Sequence, residues 1–249
     1  MRPALATAAL LASTLLVACG GGGSSGSSPE ASPAASSPAI PPAGQPSASG
    51  YDALRAWTNL HSTTRSWTVT GVASDSKSYE LSLTTAPGGS MVFPVSGATA
   101  TQTVFRNVLK DGATLVQDVT NEQFLDAQYR QLGARVTAPG SPATCSKTEV
   151  IAALPLAGSL AGTTGPLYAA TTLADCSATA TPLGTSYHTW SVLDEGGIVY
   201  FCVTSSNRFI GETSDQVSET CIQTDANGTL GAKARIRLVL PGFKVTATN

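Results

Sequence analysis

The chain has 249 residues and a formal net charge of −2, and only 12% of its residues are charged, about half the ~25% of an average globular protein. Ser and Thr together number 60, against 24 Gly, 15 Pro and two His. This balance excludes a basic nucleic-acid-binding protein, a coiled coil and a polytopic helical membrane protein, whose spans need ~18 consecutive apolar residues.

Arg2 and the α-amino group form a short positive start, and Ala4 to Ala18 is an apolar stretch containing Leu10, Leu11, Leu15, Leu16 and Val17. That order, closed by a small residue, predicts a secretory signal over residues 1–18 rather than a domain helix. The closing Leu16-Val17-Ala18-Cys19 resembles the lipobox of bacterial lipoproteins. The resemblance implies cleavage after Ala18, acylation of the Cys19 sulfur and attachment to a membrane. Several acyl chains are needed for a firm hold, since each buried methylene contributes about 0.8 kcal/mol and one chain binds only marginally. Gly20 follows the cysteine where an Asp would favour inner-membrane retention in Gram-negative lipoproteins, so the same resemblance implies the outer membrane.

Residues 20–50 are Gly, Ser, Pro and Ala with one Ile, one Gln and one Glu. Such a segment buries too little apolar area to offset its ordering entropy. With Cys19 it is expected to be a disordered tether, reaching up to roughly 95 Å when extended and about 30 Å as a coil.

From Tyr51 onward the chain is long enough for one large domain or two small ones. Leu54, Trp57 and His61 share a face of a short helix, preceded by Ser49-x-x-Asp52 in the form of a capping box. Tyr79, Leu81 and Leu83 alternate with Glu80, Ser82 and Thr84, the period of a half-buried strand. Asp111-Gly112 predicts a two-residue hairpin loop of type I′, setting Val108 opposite Leu115 and Val104 opposite Val119. Residues 138–144 read as a boundary between a first β-lobe, 51–137, and a second, 138–249. Asp194-Glu195-Gly196-Gly197 marks a second hairpin, and Asn227-Gly228 a third that places Cys221 opposite Ala234 on the face of Ile236 and Leu238. The fold class expected is all-β, with antiparallel sheets forming two lobes or one β-sandwich after a short N-terminal helix.

Beyond the lipid site stand Cys145, Cys176, Cys202 and Cys221. An even set in an exported chain predicts two disulfides, and of the three connectivities the sequentially local one, Cys145–Cys176 with Cys202–Cys221, is favoured. Ser186 and His188 lie two apart on one strand face, near Asp194 and Glu195, and supply the parts of a hydrolase triad. Neighbours on one strand rarely reach a nucleophile–base hydrogen bond, however, and the G-x-S-x-G elbow is lacking. Asp225 and Asn227 suit a tight turn better than a calcium loop. Lys233, Arg235 and Arg237 line one strand face, suited either to an anionic glycan or simply to solvent. No cofactor or metal ligand set is read.

Trp67-Thr68-Val69, Phe93-Pro94-Val95, and the loop from Leu154-Pro155 to Gly165-Pro166-Leu167-Tyr168 are similar to a set of β-rich secreted proteins and lipoproteins of proteobacteria. That resemblance implies a fold and an address but no activity. The expectation is a lipid-anchored envelope protein acting as a non-enzymatic binding or structural module, with an envelope protein or anionic glycan as partner and no nucleic acid. The alternatives are an envelope hydrolase using Ser186 and His188, or a subunit of an envelope assembly.

Overall fold

Alternation of period two runs through almost the whole body, so nearly every segment can present one face to a core and one to water. The computed structural model describes residues 50–249; the signal segment, Cys19, the tether and Ser49 lie outside the described residues. One helix, α1 (Ala53–Ser62), is followed by β1 (Arg65–Val72), β2 (Ser78–Val92), β3 (Thr99–Asp111), β4 (Thr114–Leu125), β5 (Gln131–Thr137) and β6 (Thr144–Ile151). The chain continues through β7 (Thr164–Leu173), β8 (Pro182–Glu195), β9 (Ile198–Phe209), β10 (Gln216–Thr224), β11 (Leu230–Leu240) and β12 (Phe243–Thr248). Each strand pairs antiparallel with the next, and β12 returns to β1 through Thr70 opposite Thr248, closing a barrel of 12 strands.

The fold is thus all-β and antiparallel as expected, but it is one closed barrel rather than two lobes or a sandwich. Residues 138–143 are a turn between neighbouring strands: Val136 pairs with Thr144 directly across it. A Pro/Gly-rich turn and an interdomain linker carry the same local composition, so the sequence could not separate them. Closure adds no residue type of its own; it follows from strand stagger and tilt.

Inward positions on β1, β2 and β9–β12 form the apolar core, with Trp67, Val69, Leu81, Leu83, Phe201, Ile222, Ile236 and Ala247 all buried. Trp67 and Trp190 are both core residues, and Trp67 Nε1 donates to the Gly231 carbonyl at 2.9 Å. Many outward positions are polar: Ser66 meets Thr84, Thr68 meets Ser82, and Arg106 pairs with Asp118, while Val72 and Tyr187 are exposed apolar exceptions.

Eight strands leave room only for side chains, whereas 12 enclose a wider lumen. Helix α1 plugs one end of it. Asp52 is the N-cap, its carboxylate accepting from the Arg55 amide at 2.9 Å. The buried face comprises Ala53, Ala56, Trp57, Leu60 and His61; Leu54, expected on that face, is 37% exposed. Loops hold the plug, with Trp57 Nε1 donating to the Tyr129 carbonyl and Asn59 Nδ2 to that of Gly228, both at 2.9 Å. Gly228 cannot be replaced cheaply: its φ is 74°, and a Cβ would lie 2.5 Å from the Asp52 carbonyl oxygen. From the barrel wall, Thr103 Oγ1 donates to the His61 carbonyl at 2.8 Å.

All three predicted hairpins exist, but two have a different register. Gly112 and Ala113 form the first loop, with Asp111 opposite Thr114, and an irregularity beyond Lys110 puts Val108 opposite Asp118 and Val104 opposite Glu122. The type I′ turn expected there is also corrected: Gly112 has a φ of 58° but Ala113 has no positive φ, so the loop is of type II′, which demands glycine at its first position. In the third hairpin a shift between Ile222 and Thr224 places Ile222, not Cys221, opposite Ala234. A slip of one residue turns a side chain through the sheet, so Cys221 faces outward beside Arg235. The second hairpin turns at Gly196-Gly197, with φ of 63° and 85° as a type I′ loop requires.

The structure pairs Cys145 with Cys176 and Cys202 with Cys221, both on the outer side of the barrel wall. Cys202 and Cys221 are direct cross-strand partners of β9 and β10. Each bridge closes a loop, of sequence separation 31 and 19. Reduction of each is expected to cost about 3 kcal/mol, chiefly by releasing the unfolded chain. Urea unfolding with and without a thiol reductant measures this, and an unchanged midpoint would contradict it.

Candidate functional site

The barrel interior is not filled completely. A cavity of about 150 Å³ runs from the inner face of α1, at Trp57, Leu60 and His61, toward Thr144 and Thr172. Thr144 begins β6 and Thr172 nearly ends β7, so these two stand at the end of the barrel opposite the plug. Its lining is mixed: apolar Leu81, Leu83, Phe105, Ile236 and Leu238 stand beside amides and hydroxyls, including Asn107, Asn121 and Gln123 of β3 and β4, and Ser186, Ser205 and Thr220. Leu83 is paired with Asn107, Phe105 with Asn121 and Ile236 with Thr220 across neighbouring strands.

Both histidines of the chain meet at this cavity. Ser186 and His188 point inward from β8, and Ser186 Oγ lies 3.2 Å from His188 Nε2. The expectation that strand neighbours would not make this contact is therefore corrected. Tyr168 sits opposite His188 on β7 and stacks on its ring, with centroids 4.0 Å apart and planes 17° apart. Burial lowers the His188 pKa to about 3 and pushes the Tyr168 phenol up, so both groups are neutral near pH 7.

A triad would need a carboxylate behind the imidazole. Asp194 instead accepts from the Gly197 amide in the hairpin turn, and Glu195 pairs with Arg235 on the outer surface. No Asp or Glu is among the described residues that line the cavity. The pair can therefore hydrogen-bond a guest, while an imidazolium formed during proton transfer would lack its stabilising charge.

His61 is the most constrained polar group here. It is 1% exposed, set edge-on to Trp57 at 4.1 Å and to Phe105 at 5.4 Å. Burial lowers its pKa to about 3. A neutral imidazole offers one N–H and one lone pair, and neither ring nitrogen has a partner. Asn121 Oδ1 and Gln123 Oε1 are likewise buried without partners. Unpaired buried polar atoms are costly in a folded protein, and these three residues line the cavity, where a water or a guest can meet them.

The remaining candidates lie outside the cavity. Asp225 accepts from the Asn227 and Thr229 amides at 2.9 and 2.8 Å, and these bonds organise the turn. Lys233, Arg235 and Arg237 do share the outward face of β11, but Arg235 is bound by Glu195 and Glu219, leaving two cations at the surface. Cys19 lies outside the described residues. Sequence reading missed Tyr168, Asn121 and Gln123 as site residues. A usable signal existed: Asn121 and Gln123 share the parity of Val119 and Leu125, polar residues on the face that otherwise goes inward.

The architecture defines a class: a closed up-and-down β-barrel, plugged by a helix at one end, with an uncharged cavity inside. No family model, no curated protein and no solved structure matches this chain.

Proposed function

We propose that this protein is a lipid-anchored component of the bacterial cell envelope whose barrel binds a small molecule in its interior. The observation that carries the binding reading is the cavity lined by His61, Asn121 and Gln123, whose buried polar atoms have no protein partner. The lipobox-like Leu16-Val17-Ala18-Cys19 and the Gly/Ser/Pro/Ala tether support the anchored address, with the outer membrane favoured by Gly20. Two disulfides suit an oxidising compartment. The many polar positions of the outer wall suit a body held off the membrane rather than within it.

A second reading, hydrolysis at Ser186, is favoured by the 3.2 Å contact with His188. It ranks lower because the imidazole lacks a carboxylate and is held neutral by burial. A fold that exposes hydroxyl-rich strands is also compatible with an assembly subunit, though nothing in the barrel favours one.

Two measurements test the leading reading. Cys19→Ala is expected to move the protein from the detergent phase to the aqueous phase with unchanged thermal stability; retention in the detergent phase would refute the lipid anchor. Xenon under pressure is expected to perturb methyl signals of Leu83 and Ile236, and silence there would refute an accessible cavity. Covalent labelling of Ser186 by a fluorophosphonate would overturn the ranking in favour of hydrolysis.

A further inference from the structure

The chemistry of the cavity restricts its occupant. Among the described residues, none that lines it is Asp, Glu, Lys or Arg. A charged guest would shed its hydration with no counter-charge to meet it, so the occupant is uncharged. Trp57 and Phe105 with Leu83 and Ile236 offer apolar surface for a flat hydrocarbon ring. Next to them, with Asn121 paired directly to Phe105, stand unpartnered acceptors, Asn121 Oδ1 and Gln123 Oε1, and the unpaired nitrogens of His61. A guest that satisfies them must donate through an N–H or O–H group. At about 150 Å³ the space suits one ring or a compact pair of fused rings, since an apolar cavity of roughly that volume accepts benzene.

Building on the binding reading above, we propose that the barrel interior is a site for a small uncharged aromatic molecule bearing an N–H or O–H donor, the class represented by phenol and indole. The ring lies against the aromatic and aliphatic side chains, and its donor meets the amide oxygens beside His61. Nonspecific greasy binding would not need the polar groups. Recognition of a charged ring would need an ion that the lining does not contain.

The two histidines make the test direct, because histidine-selective ¹⁵N labelling of the nanodisc-anchored protein reports only His61 and His188. Phenol and indole are titrated against benzene, benzoate and benzylammonium, with xenon as a chemically indifferent guest. Phenol and indole are expected to shift both imidazole signals saturably, at least tenfold more tightly than the other three rings. His61→Phe is expected to weaken phenol at least fivefold while leaving benzene unaffected, and His61→Gln, which restores a hydrogen-bonding group, to recover most of the loss. Benzene equalling phenol, or either ion binding as tightly, would overturn the ligand class while leaving the cavity a binding site. Failure of every ring and of xenon to move either signal would overturn the binding reading as well.

Discussion

Between pH 7 and pH 4.5 the folded barrel is expected to lose on the order of 5 kcal/mol of stability, with nearly two protons taken up on unfolding. The two histidines are the source. Each has an ordinary pKa of 6.5 in the unfolded chain and about 3 in the folded one, lowered by burial. The unfolded state therefore binds more protons at intermediate pH. The stabilisation is complete above pH 6.5 and drains away as pH falls toward 3. Carboxylates act lower on the scale: hydrogen bonds from Arg106 hold Asp118 below its usual value, and the Thr229 amide does the same for Asp225. Urea unfolding at pH 7, 5.5 and 4.5 measures the slope. His61→Phe and His188→Gln should each remove about half of it, and a slope unchanged in the double variant would exclude the histidines as its origin.

Replacing Trp57 by Ala is expected to cost about 3–5 kcal/mol, the range for a buried aromatic whose site cannot collapse. Trp57 is 3% exposed, stands edge-on to His61 and anchors α1 to the Tyr129 carbonyl. Its loss therefore empties part of the core, leaves a carbonyl unpaired and loosens the plug at once. In a domain of this size the melting temperature should fall by roughly 8–15 °C. Amide exchange across α1 should accelerate more than in β8 and β9, because the helix opens without unravelling the barrel. Leu54→Ala, on the exposed side of the same helix, is the control and should change stability by no more than about 0.5 kcal/mol. Equal effects of the two substitutions would mean that α1 does not seal the barrel.

Much of the local structure was legible. Strand alternation at Tyr79–Leu83, the hairpin at Asp194-Glu195-Gly196-Gly197 and the helix around Trp57 are decided by neighbours in sequence, and all three are present. Registers failed where an irregularity intervened. The shift at Ile222–Thr224 moved Cys221 from the inner to the outer face, and nothing in the sequence marks that residue as a bulge. The face of α1 was only partly right, because Leu54 and Trp57 are both apolar and only the barrel rim determines which is covered.

The site divides in the same way. Ser186 and His188 were recognisable as a pair sharing a strand face, since a period of two is a local rule. The ring that stacks on His188, Tyr168, comes from the neighbouring strand, and the convergence of His61 on the same space depends on a helix 127 residues away by number from His188. What the sequence determined by itself was strand character and the approximate places of the hairpins, because these follow from nearest-neighbour conformation. Tertiary structure alone decided that 12 strands close on themselves, that a helix stoppers the lumen and that the polar residues left inside face one cavity. Closure depends on stagger summed around the whole sheet, a quantity that no single segment of the chain carries.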